Sequence, residues 1–169
     1  LGASFSLAVK LDGTLWSWGG NSDGQLGIGN TTSTSSPVQI GSDTNWTDCE
    51  SSNSASFAHA IKSDGTLWAW GLNYQGALGV GNNTNKFSSP VQVGTDTNWL
   101  NAKVSHGNAR SAVRAAGSLW VWGKVWEGRR GDGYATYPNH QFSPKRLGIE
   151  SNWVDTKSNK YSGVFGLKS

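Results

Sequence analysis

The sequence GTLWSWG at residues 13–19 recurs as GTLWAWG at residues 65–71 and as GSLWVWG at residues 117–123. The three copies start 52 residues apart. A fixed period of this size, with glycine and tryptophan at set places, indicates a repeat architecture. Alternation along a strand puts the two tryptophans of each copy on one face, and a hairpin with such a face needs a neighbouring sheet to cover it. The phrase therefore predicts stacked β-sheets.

The segment before each phrase predicts the first strand of a hairpin. Residues 5–10 (FSLAVK) and 57–62 (FAHAIK) alternate apolar and polar side chains, and residues 110–114 (RSAVR) do so more weakly. Asp-Gly at the turn favours a tight hairpin because glycine accepts a positive φ. The third copy has Ala116 in place of the aspartate.

A glycine loop follows the first two phrases, GQLGIG at residues 24–29 and GALGVG at residues 76–81. The spacing resembles that of a phosphate-binding loop, but such a loop needs a helix after it. The polar segment at residues 30–37, NTTSTSSP, is not a buried helix. We expect the loop to turn the backbone tightly, with Leu26 and Leu78 filling gaps in the core.

A last shared segment ends each repeat: SPVQIGSDTNW at residues 36–46, SPVQVGTDTNW at residues 89–99 and SPKRLGIESNW at residues 143–153. Its proline suits the start of an edge strand, where no amide donor is needed. Nine repeat tryptophans are therefore predicted to form a structural core. They are Trp16, Trp18, Trp46, Trp68, Trp70, Trp99, Trp120, Trp122 and Trp153.

These phrases resemble the repeats of the regulator of chromosome condensation family, over essentially all 169 residues. The resemblance implies an all-β fold, a β-propeller with blades of four antiparallel strands and typically seven blades. We expect one partial propeller over residues 1–169. Its repeats are predicted at about 1–52, 53–104 and 105–157, with the start of a fourth at 158–169. The remaining blades are expected from the same longer chain or from other copies, since blades need neighbours on both sides.

The third repeat departs from the pattern in its glycine loop, where residues 125–133 have the sequence VWEGRRGDG. The departure suggests a binding patch formed by Trp126, Arg129, Arg130 and Tyr134, because Trp, Tyr and Arg dominate binding hot spots. The alternative is a repeat that has drifted in sequence, in which Trp126 covers a gap.

Charge is uneven along the chain. Residues 1–99 carry three lysines against seven acidic residues, a net −4, whereas residues 100–169 carry a net +7. The basic part could attract an acidic partner or be a solvated surface. Nothing resembles a nucleic-acid recognition helix, and no apolar run is long enough to insert into a membrane.

The residue types that carry chemistry are scattered. His59, His106 and His140 fall at different repeat positions, Cys49 is the single cysteine, and no pair of carboxylates stands out for acid–base work. No catalytic residue, metal site or cofactor is predicted. The chain is predicted not to be an enzyme.

The sequence thus favours a non-enzymatic structural or protein-binding propeller module of a secreted, cell-surface or phage virion protein (a fibre or decoration component). The first alternative, implied by the resemblance, is a guanine-nucleotide exchange factor for a small GTPase, with a cytoplasmic or nuclear location. The second is an enzyme-inhibitor or lectin-like binding module.

Overall fold

The computed structural model describes residues 5–51, 56–104, 109–123, 131, 140–158 and 164–168. Thirteen strands form four antiparallel sheets across these residues. In chain order the strands are β1 Phe5–Val9, β2 Leu15–Gly19, β3 Thr34–Gln39, β4 Trp46–Ser51, β5 Phe57–Lys62, β6 Leu67–Leu72, β7 Lys86–Gln92, β8 Trp99–Val104, β9 Ala109–Arg114, β10 Ser118–Gly123, β11 Gln141–Arg146, β12 Trp153–Ser158 and β13 Val164–Lys168. A single 3-10 turn at Tyr74–Gly76 interrupts the β pattern, and no described helix is long and apolar enough to span a membrane.

Two of the sheets have four strands each, in the orders β4-β5-β6-β7 and β8-β9-β10-β11. The sheet before them is β1-β2-β3, and the sheet after them is β12-β13. The two central sheets confirm the prediction of all-β blades with four antiparallel strands. Each of these two sheets starts at the tryptophan that ends one sequence repeat, so the sheet and the sequence repeat are offset.

Glycine at the hairpin turn ties one sheet to the next. Gly13 has φ +78°, and a side chain there would collide with the Thr44 carbonyl. Its own carbonyl accepts a hydrogen bond of 3.0 Å from the Trp46 amide, at the start of the next sheet. Trp99 and Gly65 repeat this bond at 3.0 Å. Only a residue without Cβ allows this approach.

In the first three sheets the strand that carries the proline lies at one edge, as β3, β7 and β11. Pro37, Pro90 and Pro144 fall inside these edge strands. An edge strand has one side without ladder partners, so proline does not break a sheet there. The expected edge position is confirmed, with the proline inside the strand instead of at its start.

The core lies between the sheets. Neighbouring sheets meet mainly through the first two strands of each, for example β1 with β4 and β5 with β8. One buried cluster includes Leu15, Leu26 and Trp70 between the first two sheets. A second includes Leu78, Trp99 and Trp122 between the next two. The sheets therefore stack face to face, as propeller blades do.

Candidate functional site: the junctions between sheets

The second tryptophan of the second and third phrases inserts into the glycine loop of the preceding sheet. Trp70 is fully buried, and its Nε1 donates a hydrogen bond of 2.9 Å to the Gln25 carbonyl. Trp122 is also fully buried and donates to the Ala77 carbonyl at 3.2 Å. A Cβ on Gly79 would lie 2.7 Å from Trp122 Nε1. The loop is thus a socket for the tryptophan of the next sheet.

A buried asparagine holds each socket in shape. The side-chain amide of Asn21 donates to the carbonyls of Asn30 and Thr32, both at 3.0 Å, and its Oδ1 accepts from the Leu26 amide at 3.0 Å. Asn73 makes the corresponding bonds to the Asn82 carbonyl and the Leu78 amide, also at 3.0 Å each. Leu26 and Leu78 are fully buried beneath these clamps. The glycine loops therefore serve the packing of the sheets.

A second contact at each junction joins a cation to two tryptophans. Lys62 Nζ lies 4.2 Å from the ring centroid of Trp68 and 4.8 Å from that of Trp46. The two rings meet edge to face at 6.1 Å. Asp43 forms an ion pair with Lys62 at 2.9 Å. The ammonium is therefore neutralised while its position over the rings adds cation–π attraction.

The same contact recurs at the next junction with arginine in place of lysine. Arg114 Cζ lies 3.7 Å from the Trp120 centroid and 4.2 Å from that of Trp99. Asp96 pairs with the Arg114 guanidinium. At the last sheet Lys168 lies 4.8 Å from the Trp153 ring and pairs with Glu150. The cluster of acid, cation and tryptophan is thus a repeated feature.

A cleft of about 370 Å³ opens beside the first of these clusters. Its lining includes Trp46, Trp68, Asp43, Gln39, Gly29 and Pro90, from the first and second sheets. Clefts of this volume lie at the lower end of the range for small-molecule sites. Trp46 is only 3% exposed, and its Nε1 finds no hydrogen-bond acceptor among the described residues.

Two basic side chains are buried between the second and third sheets. The guanidinium of Arg110 lies 3.8 Å from the Phe57 ring, and His59 packs edge to face against Phe57 and Trp122 at 5.7 Å. Burial, and after it the charge of Arg110, lowers the pKa of His59 to about 3. Because the imidazole is neutral at neutral pH and fully enclosed, it serves packing and not proton transfer.

Three further observations on the described residues concern the thiol, the metal-ligating types and a turn carboxylate. Burial raises the pKa of the Cys49 thiol to about 11, and Asp48 and Glu50 add to the effect, which is the reverse of what a nucleophile needs. Within the described ranges no three His, Cys, Asp or Glu side chains come together as metal ligands. The Thr14 hydroxyl and amide lower the pKa of Asp12 at the first hairpin turn, which is a local turn bond.

The predicted core tryptophans fall into two groups. Four are buried, namely Trp46, Trp70, Trp99 and Trp122. The other five are partly buried, namely Trp16, Trp18, Trp68, Trp120 and Trp153. All nine lie on the hairpin or first strands, as their spacing predicts. The predicted binding residues Trp126, Arg129, Arg130 and Tyr134 lie outside the described residues.

Sequence reasoning missed the cations that bridge the tryptophans and the asparagines that clamp the loops. Only the cations had a distinct signal in the repeat. A basic residue ends the first hairpin strand as Lys10, Lys62, Arg114 and Lys168, and an acid recurs as Asp43, Asp96 and Glu150. Only the geometry shows that these positions, remote in sequence, meet on the same tryptophan faces.

Comparison with known proteins agrees with this architecture. The sequence model of the regulator of chromosome condensation (RCC1) repeat matches residues 12–59 and 64–109, which is more than half of the chain. Human "Protein RCC2" is 35% identical over 91 residues, covering 54% of this chain and 17% of RCC2. The "Ultraviolet-B receptor UVR8" of Arabidopsis thaliana is 30% identical over 168 residues, covering 99% of this chain and 38% of the receptor.

Solved structures extend the match to the fold. The crystal structure of Prp20p from Saccharomyces cerevisiae superposes with a TM-score of 0.80 at 17% identity, covering 100% of this chain and 43% of Prp20p. The chain thus spans less than half the length of each of these proteins. Its repeats, sheet order and fold place it in the regulator of chromosome condensation (RCC1) repeat family, as part of a β-propeller.

Proposed function

We propose that this chain is a non-enzymatic, protein-binding segment of an RCC1-type propeller, whose contact residues lie in the glycine loop of the third repeat. The observation that carries the proposal is what the first two loops do. Asn21 and Asn73 clamp them, Leu26 and Leu78 fill them, and each receives the tryptophan of the next sheet. These loops are fully occupied with packing.

The third loop cannot make the same bonds with its side chains. Val125 stands where the clamp asparagine stands, and an apolar Val has no amide to donate or accept. Arg130 replaces the buried leucine, and the loop adds Trp126 and Arg129. The third loop thus has Trp and Arg where the first two loops have residues that serve packing. Trp and Arg side chains are frequent at the centres of protein interfaces, which favours a contact with a partner.

The charge of this part of the chain favours an acidic partner surface. Residues 100–169 carry a net +7, against −4 for residues 1–99. Long-range attraction to an acidic protein speeds association and weakens with salt. We therefore expect a partner whose binding surface is rich in aspartate and glutamate.

Affinity capture with matched variants tests the proposal. The immobilised chain is compared with Trp126→Ala, Arg130→Ala and the control Tyr74→Ala, and captured proteins from the source cells are quantified by mass spectrometry. Tyr74 holds the same loop position in the second repeat and is 56% exposed. We expect a set of proteins lost with the first two variants and retained by the control. Equal capture by all four forms would overturn the assignment to this loop.

Nucleotide exchange is the second candidate, and the fold match to Prp20p favours it. Prp20p of Saccharomyces cerevisiae is described as binding Gsp1p and histones. Release of fluorescent GDP from purified Gsp1p is the assay. A pure binding module leaves the release rate unchanged, whereas acceleration would favour exchange activity.

The setting of the protein is a separate matter. None of the relatives described above is named as a secreted, cell-surface or virion protein, so that setting stays a prediction beside the cytoplasmic or nuclear alternative. Mass spectrometry of purified particles and cell fractions distinguishes the two. Recovery only from the soluble interior of cells would contradict the surface setting.

A further inference from the structure

We propose that the cleft between the first and second sheets is a binding site for a neutral carbohydrate. Its described lining residues come from the first and second sheets, so this inference does not depend on the proposed protein contact. It is lined by Trp46, Trp68, Asp43 and Gln39, and it encloses about 370 Å³. That volume accommodates one or two sugar rings.

The charges around the cleft favour a neutral ligand. Lys62 is the cation nearest the tryptophans, and its ammonium is paired with Asp43 at 2.9 Å and covers the rings of Trp46 and Trp68. An anionic ligand would be repelled by the Asp43 carboxylate. A cationic ligand would compete with Lys62 for that carboxylate. A neutral ligand disturbs neither group.

The polar groups suit hydroxyls. Ser89 also lines the cleft and is exposed, so its hydroxyl can donate to and accept from a sugar oxygen. Asp43 offers a second carboxylate oxygen on a side chain that is 54% exposed, and the Gln39 amide can donate and accept. The partly buried Trp68 ring supplies the apolar surface on which the C–H face of a sugar packs.

The residue types that line the cleft recur at the next junction between sheets. This recurrence favours a cleft that the repeat maintains over an accidental gap in the packing. Gln92, Asp96, Trp99 and Trp120 hold the same repeat positions at the next junction as Gln39, Asp43, Trp46 and Trp68.

Nuclear magnetic resonance of the full chain tests the site directly. The indole N–H signals are followed during titration with cellotetraose, N-acetylglucosamine oligomers and mannan oligomers, with a polygalacturonic acid oligomer as the charged control. We expect a saturable shift of the Trp46 signal with one neutral oligomer and none with the charged control. Absence of any Trp46 shift with every neutral oligomer at 10 mM (about the weakest useful affinity) overturns the proposal.

Variants locate the effect without removing a buried ring. Gln39→Ala is expected to weaken the apparent affinity about fivefold, because it removes one hydrogen-bonding group. Gln141→Ala, the same change outside the cleft, leaves the affinity unchanged. Equal affinity for Gln39→Ala and the parent chain, or equal weakening by both variants, counts against this cleft as the site.

Discussion

Replacing Gly79 by alanine tests the socket between the glycine loop and the next sheet. Gly79 has φ +76°, so an L-residue there is strained by about 1–2 kcal/mol. Its new Cβ would lie 2.7 Å from Trp122 Nε1, and displacing that ring adds about 1–3 kcal/mol for overpacking. Loss of the Trp122 bond to Ala77 adds about 1 kcal/mol. We expect a total destabilisation of about 3–6 kcal/mol.

Gly81→Ala is the matched control. Gly81 has φ +86°, but the nearest atom to its new Cβ is the Ser143 hydroxyl at 3.5 Å. Only the backbone strain of about 1–2 kcal/mol applies. Urea unfolding followed by tryptophan fluorescence measures both variants, and the difference between them, about 2–4 kcal/mol, is the contribution of the socket. Equal destabilisation by the two substitutions would refute the reasoning, because it would leave strain as the whole cause.

Three other perturbations follow from the same contacts. Because the pKa of His59 in the folded chain is about 3, the folded chain binds fewer protons than the unfolded chain below pH 6.5. The free energy of unfolding is therefore unaffected by His59 above pH 6.5 and decreases as the pH falls toward 3. The decrease is about 2–3 kcal/mol at pH 4.5. His59→Gln should remove this part of the slope in pH-dependent urea unfolding, and an unchanged slope would contradict the assignment. Asn73→Ala should cost about 2–3 kcal/mol, because the buried Leu78 amide and Asn82 carbonyl both lose a partner; exchange of the Leu78 amide should accelerate, and unaltered exchange would argue against the clamp. Cys49, with a pKa near 11, should react with iodoacetamide at pH 8 about 100-fold more slowly in the folded chain than in urea, and similar rates would show that the thiol is not enclosed.

The hairpins were predictable from sequence because their determinants are local. Trp-x-Trp sets the alternation of β2, β6 and β10, and Asp-Gly sets the turns before β2 and β6. The turn before β10 lacks the aspartate, and Ala116 there takes a left-handed φ of 69°. The hairpin still forms, because the pairing of β9 with β10 is supported by packing on both faces.

The offset between sheet and repeat depends on contacts that are distant in the chain. Trp46 ends one repeat in sequence, yet it pairs with Lys62 and begins the next sheet. The local sequence pattern does not show which sheet the strand that starts at Trp46 joins, because its alternation is the same whichever strand it pairs with. The Trp70 bond to Gln25 likewise spans 45 residues. The sequence repeat predicted the strands and tryptophans that form the junctions between sheets. The fold determines which of them come into contact.

In the glycine loop of the third repeat the sequence shows a difference whose meaning depends on the structure of the first two loops. The sequence shows that Val125 and Arg130 differ from the asparagine and the leucine of the first two glycine loops. Only the structure of those two loops shows what the asparagine and the leucine do there. Asparagine is common in turns for local reasons, so Asn21 and Asn73 carry no distinct signal in the sequence. Their complete burial makes them clamps. The third repeat therefore lacks the side-chain amide that forms the clamp in the first two loops, and it has a charged residue in place of the buried leucine.

Hydrogen exchange of the indole N–H groups tests most directly whether the repeated tryptophans hold the sheets together. Trp70 and Trp122 donate to carbonyls of the preceding sheet, whereas Trp18 donates to no carbonyl in the described part of the chain and is partly exposed. We predict that the indole protons of Trp70 and Trp122 exchange only through unfolding, and that the Trp18 proton exchanges far faster. Exchange of Trp122 as fast as that of Trp18 would contradict the account.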